Sequence, residues 1–297
     1  MTLNMQRLRV FLAVVDHGGV SAAARALNTA QSSVSAAMSQ LETEVNAPLL
    51  HRSGRRFQLT EAGNALVSHG RALMLAIDES LDAVARARDA PVGGVLTVGA
   101  TTTAAERALP RALAGLLSVH PDVDVDVRIA ATADVVDRVL DGTLPFAIIA
   151  GTTGDPRLLC EPLAEEEQTV IISPTHLLAG RRADPSALRG SRLLLREQGS
   201  ATREFQLRLA EQWRIPRLQQ STLTGSSAIL AAVSHGLGFT CLSTSVVDVH
   251  LRAGAVARIE LPVPLPTRTI SLVRLPHRRF SLIEDLFLSE LKKDAPA

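Results

Sequence analysis

Between Val20 and Leu41 the chain reads VSAAARALNTAQSSVSAAMSQL, and this run restricts the possible folds more than any other. Ahead of it, Leu8, Phe11, Leu12 and Val15 recur at i, i+3, i+4 and i+7, the spacing of a helix with one buried face. His17, Gly18 and Gly19 end that helix. Ser21 stands where it would cap a second helix, Ala22 to Leu27, whose alanines let a neighbour come close. Asn28 and Thr29 make the turn. A third helix, from about Ser32 to Val45, buries Val34, Met38, Leu41 and Val45. At about 100° per residue its opposite face carries Ser32, Ala36, Ser39 and Thr43, with Ser33, Ser35 and Gln40 on the flanks. Two short helices joined by a tight turn, the second clad in small hydroxyl side chains, fit the DNA major groove. Each base pair there presents its own donors, acceptors and methyl groups.

Downstream residues extend this reading. Asn46 and Pro48 end the third helix, and HRSGRRFQLT then offers two short extended pieces around Ser53 and Gly54, a β-wing carrying Arg52, Arg55 and Arg56. A long helix from Glu61 to Arg88 has one apolar stripe, Leu66, Leu73, Ile77, Leu81 and Val84, while Asp78, Glu79, Asp82, Arg86 and Arg88 stay off it. Such a stripe calls for a partner, and a second copy of the same helix supplies one. The net charge of the 297 residues is +1. Within the first sixty, however, Arg7, Arg9, Arg25, Arg52, Arg55 and Arg56 face only Asp16, Glu42 and Glu44. A basic end on a near-neutral body points to one part that meets a polyanion.

After Pro91, Gly93 and Gly94 the texture changes to strand, helix, strand. VLTVGA, VDVDVRIA and FAIIAG read as strands; Thr103 to Leu117, which Pro110 should bend or shorten, and ADVVDRVLDG read as helices. That order implies a parallel sheet covered by helices. It repeats through TVIIS, LLLRE and GFTCLS, with helices at Thr202 to Trp213 and Ser226 to His235; TISLVRL and Phe280 to Leu291 add a last strand and helix. The expected fold class is α/β in two lobes behind an α-helical head.

Several functions lack their motifs. No GxSxG elbow, P-loop, HExxH or GxGxxG after a strand is present, so no catalytic residue is assigned. Cys160 and Cys241 are far apart and belong to no CxxC or Cys/His cluster, which suits two reduced core thiols without a metal. No apolar run approaches the roughly 18 residues of a membrane span and no signal peptide is recognisable at the amino terminus. A cytoplasmic protein with no membrane partner and no cofactor is expected.

The residues MQRLRVFLAVVDHGGVSAAARALNTAQSSVSAAMSQLE and PLLHRSGRRFQLTEAGNAL, with VGGVLTVGA, LPRALAGLLSVHPDVDVDV, HLLA and AAVSHGLGFTCLS further on, resemble the LysR-type transcriptional regulators. The resemblance covers the whole chain and is strongest over residues 5–70. It implies an N-terminal winged helix-turn-helix over residues 1–60, with the helix-turn-helix itself at about 20–39. A linker and dimerisation helix follows at 61–90. Beyond it lies a two-lobed, periplasmic-binding-protein-like effector domain at 91–297, with lobe I at about 91–160 plus 268–297 and lobe II at about 161–267. The implied function is sequence-specific binding of an interrupted palindrome in double-stranded DNA by a bacterial dimer or tetramer, acting with RNA polymerase. A small molecule of unknown identity between the lobes would switch it. A regulator without such an effector, and a cytosolic solute-binding protein, are the alternatives. Three departures from the family pattern stand out: Asn46 and Leu50 replace a usual glycine and phenylalanine, Ala36 replaces a frequent arginine, and Pro145 stands where an acidic residue often precedes the buried strand.

Each candidate residue has a chemical reason. Gln31 can make a two-point contact with adenine; Ser32, Ser33, Ser35 and Ser39 can donate or accept; Ala36 can touch a thymine methyl. Arg52, Arg55 and Arg56 suit phosphates or the minor groove. Thr101, Thr102 and Thr103 follow the first strand, Thr132 follows the second, and Ser200, Thr202 and Arg203 open a helix in the other lobe. Hydroxyls and free amides at such helix starts hold carboxylates and other anions.

Overall fold

Asn4 starts the first helix by accepting hydrogen bonds from the amides of Gln6 and Arg7, so that α1 (Met5–Asp16) begins satisfied. The computed structural model describes residues 3–51, 58–87, 92–276 and 278–293, and the chain folds as two compact units, Met1–Ala90 with Asp141–Thr143 and Pro91–Leu140 with Leu144–Ala297. In the first unit α2 (Val20–Ala26) and α3 (Gln31–Val45) follow, and Asn28 and Asn46 both adopt positive φ at the helix ends. Asparagine tolerates that conformation through its short polar side chain, which is why Asn46 can end α3 in the left-handed region without a glycine. Ser21 is not the cap of α2: the amides of Gly18 and Gly19 close α1, and the next helix starts at once with Gly19 as its N-cap. In α1 it is Val14 that is fully buried, while Val15 is half-buried.

The three helices enclose Leu8, Phe11, Leu12, Ala23, Ala24, Val34, Met38 and Leu41. Glu42 of α3 reaches forward to accept from the amide of Leu49 (2.7 Å), fixing where the wing begins. Leu50 and Leu59 form an antiparallel bridge and the His51 amide donates to the Gln58 carbonyl. These contacts form the base of a hairpin. Arg52, Arg55 and Arg56, with Ser53 and Gly54 of the expected turn, lie outside the described residues.

The sequence Leu59-Thr60-Glu61-Ala62-Gly63 launches α4 (Glu61–Ala87). The Thr60 hydroxyl accepts from the Gly63 amide (3.0 Å) and donates to the Pro48 carbonyl (2.6 Å). Gly63 is required sterically, because a Cβ there would sit 2.2 Å from the Leu49 carbonyl oxygen. Leu66, Val67 and Met74 pack on the head, and Arg71 pairs with Asp16. Beyond them the stripe emerges: Leu73 is 38% exposed, Leu81 61% and Val84 57%, with Ile77 between them half-buried. The side chains of Asp78, Glu79, Asp82 and Arg86, and Arg88 as a whole, lie outside the described residues, as does Pro91 of the expected boundary.

In the second unit a five-stranded sheet has the order β2-β1-β3-β10-β4, from β1 (Gly94–Ala100), β2 (Val123–Ile129), β3 (Phe146–Ala150), β4 (Leu159–Glu166) and β10 (Arg268–Arg274). β1 is parallel to β2 and β3, but β10 runs antiparallel to both its neighbours, so the sheet is mixed where the strand-helix order suggested a parallel one. The expected helix from Thr103 to Leu117 is two helices, α5 (Thr102–Arg107) and α6 (Leu109–Val119), because Pro110 fits only the first turn of a new helix. Helices α6 and α11 (Leu282–Lys293) cover one face through Leu116, Phe287 and Leu291. The other face receives Val135 and Val139 of α7 (Thr132–Leu140).

β4 keeps the chain in this first lobe as far as Glu166, beyond the boundary expected near residue 160. The second lobe contains β5 (Gln168–Ile172), β6 (Leu193–Leu195), α8 (Ala201–Gln212), β7 (Gln220–Thr222), α9 (Ser226–Ser234), β8 (Thr240–Ser243), α10 (Thr244–Arg252) and β9 (Ala257–Ile259). Its strands pair as β8-β5-β9 and β6-β7, joined by a Leu193–Phe239 bridge. Cys241 is buried here and Cys160 half-buried in the first lobe, both as free thiols; burial pushes the Cys241 thiol well above its ordinary range. Strands β4, β7 and β9 and helix α10 are additional to those read from the sequence.

Candidate functional site: a groove-facing helix and an inter-lobe cleft

The buried stripe of α3 turns its other side wholly outward. Gln31, Ser32, Ser33, Ser35, Ala36 and Ser39 are all exposed, and Gln40 and Thr43 extend the same surface. Ala30, the N-cap, supplies no side-chain acceptor. The Ser33 amide donates to the Ala30 carbonyl, which leaves the amides of Gln31 and Ser32 at the start of this 15-residue helix for an outside acceptor, and the positive end of its dipole faces the same way. No acidic residue occupies that turn. The surface combines small hydroxyls, one long amide and free backbone donors, a set that approaches phosphates and base edges without steric bulk.

The second candidate is a cleft of about 600 Å³, including its open mouth, lined by Thr101, Thr102, Thr103 and Thr132 from one lobe and Glu197, Gln198, Gly199 and Ser200 from the other; Ile129, Ala130, Ala131, Ala150 and Ala201 complete it. It lies where β1, β2 and β3 end and helices start, the usual ligand position in an open α/β sheet. The Thr101 hydroxyl accepts from the Ala150 amide (2.9 Å), which leaves its proton free. Thr132 Oγ1 is buried without a hydrogen-bond partner. Ser200 caps α8 by accepting from the Thr202 amide. Gly199 has φ +83°, and a Cβ on it would come within 3.2 Å of the Ala131 Cβ across the cleft.

The residues expected here from the sequence divide three ways. Thr101, Thr102, Thr103, Thr132 and Ser200 line the cleft. Thr202 is buried just behind it, sharing a 3.1 Å hydrogen bond with Thr103 of the other lobe. Arg203 is turned away from the lining and donates to the Arg196 carbonyl and the Thr222 hydroxyl. Glu197, Gln198 and Gly199 were not singled out, although a search for residues just past strand ends would have reached them. Glu197 is clamped by the buried Arg196 guanidinium through two bonds (2.6 and 2.9 Å) and by the Gly225 amide, which hold its carboxyl down at about 2. Arg196 also donates to Ser226, and Ser226 to Glu106, tying the lobes together a second time.

At the end of β4, Glu166 is 1% exposed and burial raises its pKa; Ser243, Arg268, Arg107 and Gln168 pull it the other way without cancelling the effect. A group whose folded value is raised stabilises the fold below the ordinary glutamate value of 4.5 and loses that contribution as pH rises through the folded one. Glu166→Gln is therefore expected to gain thermal stability over the parent between pH 5 and 8, with the gap closing below about pH 4. A gap that is constant across a pH series of unfolding curves would refute this.

A helix-turn-helix head with an exposed polar face on its third helix, followed by two lobes that converge hydroxyls on a cleft, fits a DNA-binding regulator with an attached ligand-binding domain. The profile of the "Bacterial regulatory helix-turn-helix protein, lysR family" matches residues 5–64, and that of the "LysR substrate binding domain" matches residues 89–296. The chain belongs to the LysR family of transcriptional regulators. It is 31% identical over 282 residues to the uncharacterized HTH-type transcriptional regulator YeiE of Escherichia coli K12, covering 94% of this chain and 93% of that protein. Among solved structures it is similar to a cysteine-to-aspartate variant of full-length OxyR from Pseudomonas aeruginosa, with TM-score 0.74, 22% identity and coverage of 99% and 94%. Full-length CbnR in complex with its target DNA gives TM-score 0.64, 22% identity and coverage of 98% and 100%. Among the described residues no helix is long and apolar enough to cross a membrane.

Proposed function

We propose that this regulator binds an interrupted palindrome as a dimer or a tetramer, with α3 in the major groove and the wing arginines on the flanking backbone. The observation that carries the reading is the division of α3, which buries Val34, Met38 and Leu41 and leaves Gln31, Ser32, Ser33, Ser35, Ala36 and Ser39 exposed together. With alanine at residue 36, base reading rests on Gln31 and the serines, while Arg52, Arg55 and Arg56 supply salt-dependent affinity. One head covers one half-site, so α4 joins two heads to match the symmetry of the operator. Acting in the cytoplasm, the bound assembly works on RNA polymerase at the promoter.

The cleft is the effector site in this reading, and its chemistry suits a small carboxylate or inorganic oxyanion. Free hydroxyl protons at Thr101 and the unpartnered Thr132 support that choice. Binding there shifts the lobes, and through them the spacing of the heads, by as much as the effector's preference for one arrangement allows. No cofactor is needed.

Mobility-shift titration on intergenic DNA beside the regulator's gene tests the DNA half. Gln31→Ala should relax base preference at one position by about 1–3 kcal/mol, whereas Arg55→Ala should weaken all sequences alike and reduce the salt slope by about one. Equal losses for every sequence in both variants would show that the division into reader and anchor is wrong.

A further inference from the structure

None of the described residues that line the cleft is basic. Glu197 is the one ionisable group among its described lining residues, and Arg196 already neutralises it. A positive charge stands one layer back. Arg268 opens β10 in register with Glu166 at the end of β4, and these are the two strands that join the lobes. Its side chain is 9% exposed. Nη1 donates to Thr202 Oγ1 (3.0 Å) and Nη2 reaches the Ala150 carbonyl (3.5 Å), so the guanidinium sits directly behind a lining residue.

From there a hydrogen-bonded chain leads into the cleft. Guanidinium is only a donor, so Thr202 Oγ1 must accept from it. A hydroxyl that accepts from a cation becomes a stronger donor, which favours Thr202 donating onward to Thr103 Oγ1 at 3.1 Å. Thr103 then has its own proton left for the cleft it lines. Glu166 senses this charge through space but makes no direct hydrogen bond or ion pair with it among the described contacts: Oε2 accepts from Gln168, and Oε1 lies 3.8 Å from Arg107 Nε. Burial raises the Glu166 pKa and lowers that of Arg268, and each charge moderates the other, but a guanidinium starts so far above neutrality that it stays charged.

We propose that Arg268 makes this cleft select an anion over a neutral ligand of the same shape, as a positioning residue acting through Thr202 and Thr103 without touching the ligand. The assignment rests on the reading of the cleft as an effector site. It differs from a packing role because charge, and not side-chain volume, decides the outcome.

Isothermal titration calorimetry on the full chain, with sulfate, glycolate and uncharged glycolamide as probes, tests it. The parent protein should bind at least one of the two anions tenfold or more tightly than glycolamide. Arg268→Gln, which keeps a donor but no charge, should lose that preference; Arg268→Lys should keep it within about threefold. Thr202→Val, which cuts the relay and leaves the charge, should weaken binding of the anions several-fold more than that of glycolamide. Anion affinity intact in Arg268→Gln, or equal losses in the Gln and Lys variants, overturns the assignment while the cleft reading stands. A parent that binds neither anion, or binds glycolamide equally well, overturns both.

Discussion

A Leu81→Glu, Val84→Glu double variant is expected to elute as a monomer and to lose about 100-fold or more in affinity for a two-half-site operator. Its affinity for a single half-site should be unchanged. Both residues are more than half exposed on α4, and the packing of the head ends at Met74. Two glutamates therefore disturb nothing inside the first unit. In the proposed dimer they would bring four carboxylates into a seam that is otherwise leucine, isoleucine and valine, where desolvation and like-charge repulsion act together. The loss of operator affinity follows from valency: a second half-site bound by a tethered head is an intramolecular event, and a monomer forfeits it. Light scattering and mobility shift on whole and half operators would check this, and an intact dimer would remove α4 as the joining element.

The second large effect is expected at Gly63. Alanine there places a methyl 2.2 Å from the Leu49 carbonyl oxygen, which is backbone and is itself accepting from the Thr60 amide. Overpacking typically costs about 1–3 kcal/mol and more where the neighbour cannot move. Gly63→Ala should lower the unfolding temperature of the head and abolish operator binding, and the effector domain should unfold where it did before. Gly70→Ala is the matched control. Its methyl would approach only Leu8 Cδ1 at 2.8 Å, the tip of a side chain that can rotate, so its effect should be much smaller. Comparable losses in the two variants would contradict this account of the α4 start.

These two glycines show where a sequence is readable and where it is not. The faces of α3 follow from a period of about 3.6 residues, so Val34, Met38 and Leu41 declare themselves inside and the serines outside. The hydroxyls of Thr101, Thr132 and Ser200 are legible for a similar reason, since each follows a strand and precedes a helix. Strand β4 escaped because Leu159–Glu166 does not alternate: Pro162 cannot donate to a ladder, and the register shifts beside it on this edge strand. The charges behind the cleft escaped for another reason. Arg196, Glu166 and Arg268 each read as surface residues in a linear string, and only the packing of distant segments around them makes them buried. Ser21 looked like a cap by composition, yet the tight closure of α1 at Gly18 and Gly19 left it no place outside the helix.

The position of β10 also sets a timetable. It lies between β3 and β4, yet it follows them in the chain by the whole second lobe, residues 167–267. At about 5–20 residues per second, a ribosome needs on the order of 5–20 s to deliver it. The DNA-binding head can fold long before, and the second lobe can fold while the first stands unfinished. Throughout that interval Phe146–Ala150, apolar in every residue, waits with one edge unpaired, and the newborn regulator is at its most aggregation-prone just before its last strand arrives.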